Sequence, residues 1–291
     1  MKDNASILSL YAVTPCHAGS GSSTGIVDLP IQRERHTNWP LIQASGLKGA
    51  LRAHFDRFKD DCIKEKPQEE IFNQITELVF GAESQKGDHA GSLAVGDVKI
   101  LAFPMRSNVS PFVWITCPAV LKRLNRDLAL IGEKEIDLQP LAHLDDGAAK
   151  WVAGKTADTS VLLEDMEVQP DGDFSLAEGK GAQLFAKAER LLVVSDTVFG
   201  YGVTHCTQVM AQIKIEQKTG TTQDGSLRYQ EELPTDTLMC SIIFWGNSRD
   251  DKASLQASTI RGYIEKEVVA GHLQIGGDET LGRGIFAVEW L

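Results

Sequence analysis

The sequence predicts an α+β fold, and three observations lead there. β-like runs alternate with amphipathic helical stretches through the 291 residues. A hairpin-type turn signal and closely spaced strand-like runs mark antiparallel pieces. The longest apolar runs, such as residues 191–194 and 242–245, are strand-sized and far short of the roughly 18 residues a bilayer span needs. The alternation is compatible with two ferredoxin-like halves.

In chain order, residues 7–13 read as a strand that stops at Thr14-Pro15. His17-Ala18-Gly19-Ser20-Gly21-Ser22-Ser23-Thr24-Gly25 has too little apolar surface to pack and is predicted to be a loop. Residues 27–31 resume an extended path, because Pro30 biases Leu29 away from helix. Ser45 then looks like the N-cap of a helix whose buried stripe is Leu47, Leu51, Phe55 and Phe58. Lys48 and Arg52, one turn apart, flank that stripe on the same side. Lys48 lies in the first turn, where the helix dipole disfavours a cation unless an anion is near. A docked anion and a plain solvated lysine both remain open there.

Residues 69–80 are predicted to be helical and the polar stretch 81–91 to be a mobile loop. Strands are expected over 93–103 and 111–116, then a helix over 118–130 with Pro118 in its tolerant first turn. The acidic stretch 133–181 holds a strand-like segment, 160–168, and a turn signal, Pro170-Asp171-Gly172. Residues 183–199 read as either helix or strand. Two β-like arms, 211–217 and 227–231, flank a polar tip whose Asp224-Gly225 pair signals a protruding hairpin. A strand over 238–245, a helix over 255–270, an extended piece over 273–276, a Gly-rich turn and a last strand over 284–290 complete the chain.

The net charge of −11 would argue against nucleic acid if it were evenly spread. It is concentrated: residues 127–178 hold 13 acids against 3 bases, whereas residues 28–59 hold six Lys/Arg against three acids. The acidic total therefore does not exclude an anionic partner. Five scattered cysteines, with no CxxC pair, support neither a zinc knuckle nor a disulfide framework. Free thiols and a strand-like N-terminus without a secretory pattern point to the cytoplasm, with no membrane partner. Cys16 beside His17 could suggest a nucleophile, but a small buried side chain is the simpler reading. The Gly-rich stretch 275–284 matches neither a Walker A loop nor GxGxxG; it is a tight turn or a phosphate-contacting one.

Several blocks together resemble a known family. They are Val13-Thr14-Pro15-Cys16-His17-Ala18-Gly19-Ser20-Gly21, Gly25-Ile26-Val27-Asp28-Leu29-Pro30-Ile31-Gln32-Arg33-Glu34 and Ser45-Gly46-Leu47-Lys48-Gly49-Ala50-Leu51-Arg52. Further on come Trp114-Ile115-Thr116-Cys117-Pro118, Val194-Ser195-Asp196, Glu231-Glu232-Leu233-Pro234-Thr235-Asp236-Thr237-Leu238 and the Gly-rich close. In this order they resemble the RAMP superfamily, and more narrowly the repeated backbone subunits of type III-B CRISPR (Cmr) effector complexes. Residues 119–190 resemble little in that family and form an acidic insertion region.

The resemblance implies one RAMP-type domain: an RRM/ferredoxin-like palm with an inserted helical region and a thumb β-hairpin at about residues 205–236. It implies a guide CRISPR RNA held in the palm, and a complementary target RNA cut beside each thumb. It also implies further copies of the chain and other complex subunits as partners. Carried onto this sequence, Lys48 and Arg52 grip the guide, with Ser45 at the head of their helix and the Gly282-Arg283-Gly284 turn close by. Asp28 takes the catalytic position and holds a divalent metal ion, Mg²⁺ or Mn²⁺. The chemistry is coherent, since RNA supplies its own 2′-OH nucleophile and a carboxylate can take that proton or hold a metal on the phosphate. His17 could protonate the leaving oxygen, or simply bond backbone groups. Tyr229 and Glu231 could join a neighbouring subunit's Asp28, or lie on a solvated hairpin face. Arg33 and Arg35 could steady target phosphates. The alternative is a structural, non-catalytic RNA-binding subunit of the same kind of complex; a lone RAMP endonuclease processing precursor guides is a further reading.

Overall fold

The computed structural model describes residues 4–82, 89–155, 159–250 and 254–291. Strand β1 (Ala5–Ala12) is buried along nearly its whole length, as a strand covered on both faces should be. Strand β2 (Leu41–Ile42) leads into helix α1 (Ala44–Cys62). Leu47, Leu51 and Phe55 are buried on one face of α1 and Phe58 is half-buried, as their spacing predicts. Each such side chain contributes roughly 1.5–3 kcal/mol on burial. The start of α1 differs from expectation. Ser45 is exposed inside the first turn, and Gln43 occupies the cap position without a side-chain bond. Asp97 Oδ1 instead accepts the Ala44 N–H at 2.8 Å. A carboxylate reaching across from the sheet caps the helix and answers its dipole, so Lys48 in the first turn no longer implies a docked anion.

Helices α2 (Glu69–Asn73) and α3 (Ile75–Phe80) divide the helical piece expected over 69–80. The expected mobile loop falls largely on residues 83–88, which lie outside the described residues. Strands β3 (Leu93–Val95) and β4 (Val98–Arg106) stand where one strand was predicted, separated at Gly96, whose N–H donates to Ile242 O at 2.9 Å. Strand β5 (Phe112–Thr116) and helix α4 (Pro118–Ile131) follow, with Pro118 at the helix start and left-handed Gly132 at its end. Next come β6 (Ala148–Ala153), β7 (Val161–Leu163), β8 (Met166–Asp173), α5 (Lys180–Gln183), β9 (Leu191–Val194) and α6 (Asp196–His205). The turn predicted at Pro170-Asp171-Gly172 lies inside β8. Gly172 adopts φ +140° where the β6–β8 register shifts, so the glycine serves a bulge rather than a reversal. Ser195 caps α6, its Oγ accepting the Val198 N–H at 3.2 Å.

Strands β10 (Gln208–Gln212) and β11 (Arg228–Glu232) form a separate two-stranded ladder, the expected hairpin. Its last pair is Gln212 with Arg228, so Asp224-Gly225 does not close a two-residue turn. The pair sits in a long connection pinned by the Gln223 N–H on Lys214 O at 2.8 Å. The chain ends with β12 (Leu238–Trp245), α7 (Ala257–Gly262) running on as a π-helical turn (Tyr263–Val268), β13 (Gly271–Gln274) and β14 (Ile285–Trp290).

Twelve strands make one mixed sheet in the order β13-β14-β1-β12-β4-β5-β9-β6-β8-β7, with β2 beside β4 and β3 beside β12. Within it, β14-β1-β12-β4 are all antiparallel, and the chain links them as β1-α1-β4 and β12-α7-β14. That is the strand order of a βαββαβ unit. A second such half is not formed, because β5 and β9 pair parallel and β6 pairs parallel with β8. Residues 107–237, including the hairpin, are inserted between the second and third strands of the first unit. Among the described residues no helix is long and apolar enough to cross a membrane.

Candidate active site at the base of the hairpin

Odd-numbered residues of β11 turn their backbone groups away from β10, and that outer edge would be an open template for pairing. It is instead fully occupied by the loop after β1. The Tyr229 N–H donates to Asp28 Oδ2 at 2.7 Å, and Tyr229 O accepts the Leu29 N–H at 3.0 Å. The Glu231 N–H donates to Leu29 O at 2.9 Å, and His17 Nδ1 meets Glu231 O at 2.7 Å. Leu233 exchanges both of its backbone bonds with Cys16, at 3.0 and 2.8 Å. The Gly/Ser-rich loop is therefore a strap laid along a strand edge, and it hangs a carboxylate on Tyr229 and an imidazole on Glu231, on the same edge of that strand.

A carbonyl oxygen only accepts, so His17 Nδ1 carries the hydrogen and Nε2 is left as the working nitrogen. The Nδ1–H bond survives whether the ring is neutral or charged. Gly19 lies against the ring, where an added Cβ would fall 2.7 Å from Nε2. Asp28 is half-buried and, among the described residues, its Oδ1 carries no partner. The Asp28 that meets Tyr229 belongs to the same chain, and the Tyr229 side chain is 41% exposed.

Glu231 lies elsewhere than a substrate-facing reading requires. It is 6% exposed, and its carboxylate takes Arg33 Nη2 and Thr207 Oγ1 (2.7 Å) on Oε1 and the Ile31 N–H (3.0 Å) on Oε2. Arg33 is correspondingly turned inward, with further bonds to Asn38 O at 2.7 Å and Val203 O at 2.9 Å. On the opposite face of β11, Gln230 and Glu232 are buried too. Gln230 Nε2 donates to Asp278 Oδ2 at 2.5 Å, and Glu232 Oε1 accepts Arg283 Nε at 3.0 Å. The Gly282-Arg283-Gly284 turn thus sits against the hairpin base rather than on open surface, with the Arg283 side chain 28% exposed.

Lys48 and Arg52 do lie one turn apart on α1. Arg52 Nη1 also donates to Gly81 O at 2.8 Å. Partial burial, then the charges of Arg52 and Arg249, hold the Lys48 ammonium below the usual lysine range. Arg249, in the loop after β12, was not legible as part of this basic cluster; the only local signal is a lone arginine in a polar loop. Arg35 is exposed. Cys16 is fully buried, and burial followed by the Glu232 carboxylate pushes its thiol up to about 12, which removes it as a nucleophile.

Among the described residues no three His, Cys, Asp or Glu side chains gather as a metal cage. Asp28 offers one carboxylate oxygen, a donor set that fits Mg²⁺ only in its usual manner, with several waters and the substrate's phosphates completing the shell.

A model of the RAMP superfamily matches residues 9–287. The chain is 36% identical over 297 residues to the CRISPR system Cmr endoribonuclease Cmr4 of Pyrococcus furiosus, covering 98% of this chain and 95% of that protein. It is 25% identical over 312 residues to the CRISPR system CMR subunit Cmr4 of Saccharolobus solfataricus, covering 97% and 95%. Among solved structures, oligomeric Cmr4 from P. furiosus superposes with a TM-score of 0.68 at 28% identity, covering 99% of this chain and 97% of that one. A chain of the type III-B Cmr-beta complex bound to cognate target RNA shares the fold with a TM-score of 0.75 at 22% identity, covering 98% and 96%.

Proposed function

This chain belongs to the RAMP superfamily, and from that premise we propose that it is the guide-RNA-holding backbone subunit of a type III CRISPR effector complex that cuts complementary target RNA at regular intervals. The guide lies along the cations of α1, Lys48 and Arg52, with Arg249 beside them. Copies stack along it in the cytoplasm with other subunits, and each presents one hairpin to the guide–target duplex.

The observation that carries the catalytic part is the pairing of Asp28 and His17 on one edge of β11. Asp28 Oδ2 is fixed by a backbone N–H, so Oδ1 is the oxygen aimed at substrate. It takes the proton of a target 2′-OH as O2′ attacks the adjacent phosphorus. The P–O5′ bond breaks, and protonated His17 returns a proton from Nε2 to O5′, while its Nδ1–H stays on Glu231 O throughout. Products would carry a 2′,3′-cyclic phosphate and a 5′-OH. A divalent ion held by Oδ1 in place of that proton would instead polarise the phosphate and neutralise charge developing on it. Tyr229 offers its exposed ring to the target beside Asp28. Glu231 and Arg33 act through position: they hold β11 and the strap together beneath the site.

A target RNA lacking one 2′-OH, at the nucleotide preceding a single cut, tests this chemistry. The assembled complex should lose that product and keep the rest of the ladder. An unchanged ladder would overturn the proposed attack.

A further inference from the structure

Four side chains on the far side of β11 from Glu231 take no part in the chemistry proposed above. Gln230 (2% exposed) and Glu232 (0%) point from the strand onto the Gly-rich turn, where they meet Asp278 and Arg283. Three features make this arrangement unlike ordinary packing. Among the described residues Glu232 Oε2 is buried without a partner, and a buried polar atom left unpaired is costly enough to call for an explanation. Asp278 holds φ +58° and Gly276, Gly282 and Gly284 also have positive φ, a tightly curled path that depends on its glycines and in which Asp278 is the one non-glycine residue in the left-handed region. The turn also grips His17 by its backbone: the Gly277 N–H donates to His17 O at 2.9 Å, and an added Cβ on Gly276 would fall 2.6 Å from that oxygen.

His17 is therefore held at two ends by two different elements. Its backbone is fixed by the turn and its ring by Glu231 O on β11. Whatever fixes the turn against the strand fixes the direction of Nε2. We infer that Gln230–Asp278 and Glu232–Arg283 form a clamp joining the Gly-rich turn to the base of the hairpin, and that Glu232 and Arg283 are positioning residues for the His17 imidazole rather than contacts to RNA.

The consequence for catalysis rests on the proposed role of His17; the clamp itself does not. Loss of an orienting partner of this kind costs about 10–100-fold, so in the assembled complex Arg283→Met should slow single-turnover cleavage by about that factor with target affinity within about twofold. Arg283→Lys, which keeps the charge, should recover part of the rate, and Glu232→Gln should resemble Arg283→Met. Because the clamp acts through His17, the double variant His17→Ala/Arg283→Met should be no slower than His17→Ala alone. Multiplying losses in the double variant, or a fall in affinity matching the fall in rate, would overturn the inference in favour of an RNA contact. The ¹⁵N spectrum of His17 in the full-length free protein decides the clamp without reference to cleavage. Wild type should show the Nδ1–H tautomer, and Arg283→Met or Glu232→Gln should show exchange between tautomers; an unchanged ring signal in both variants refutes the clamp. Wild-type cleavage by Asp28→Ala would instead refute the catalytic reading and leave the spectral result standing.

Discussion

Replacing Glu231 by alanine removes the acceptor of three donors at once: Arg33 Nη2, Thr207 Oγ1 and the Ile31 N–H. The Arg33 side chain is only 14% exposed, so its charge would be left buried without a counter-ion. Breaking one partner of a buried pair costs about 3–5 kcal/mol. Arg33 would keep its bonds to Asn38 O and Val203 O, which places the expected loss at the lower end, about 3 kcal/mol. For a chain of this size that corresponds to a fall in Tm of about 5 °C. The double variant Glu231→Ala/Arg33→Met discards the stranded charge and should be more stable than Glu231→Ala alone. Thermal unfolding of the isolated chain measures both. A loss under about 1 kcal/mol for Glu231→Ala, or a double variant whose loss is the sum of the singles, would refute the view of Glu231 as a buried positioning group.

Other outcomes follow from the same geometry. Lys48→Ala with Arg52→Ala should weaken guide binding about tenfold or more and flatten its salt dependence by roughly 0.7 in slope for each cation–phosphate pair removed, read by anisotropy across a salt series. An unchanged slope would remove both from the guide path. Guide affinity should also fall on alkaline titration before the usual lysine range is reached, because Lys48, held below that range, loses its proton first. Cys16 should resist thiol reagents at mildly alkaline pH in the folded chain and react once it is unfolded, as followed by mass shift. Gly276→Ala forces a Cβ onto His17 O at φ +93° and should cost about 1–3 kcal/mol in denaturant unfolding while slowing cleavage.

What was legible in the sequence was local. The stripe Leu47, Leu51, Phe55 fixed the face of α1, and Pro118 marked the start of α4, because periodicity and caps act within a few residues. Ser45 misled because the real cap, Asp97, comes from the break between β3 and β4, 53 residues from the Ala44 N–H it accepts. Asp-Gly located the hairpin but not its closure, since the long connection is held by contacts between its own arms. At the site, the resemblance singled out Asp28 and His17, and the structure puts both on one strand edge. It could not show that Tyr229 meets the Asp28 of its own chain, or that Glu231 and Arg33 are a buried pair separated by 198 residues. Glu232, Asp278 and Arg283 stood in blocks that carry the resemblance and Gln230 beside one, but their mutual contacts arise only when the turn folds against β11.

The most direct measurement is the single-turnover cleavage rate of a complex assembled with Asp28→Asn, with target affinity measured in parallel. The side chain keeps its shape and can still accept the Tyr229 N–H, but it cannot take the 2′-OH proton. The expected result is a rate at least about 100-fold lower with affinity unchanged and the whole ladder affected equally. A rate within about threefold of wild type, at equal affinity, would contradict the account.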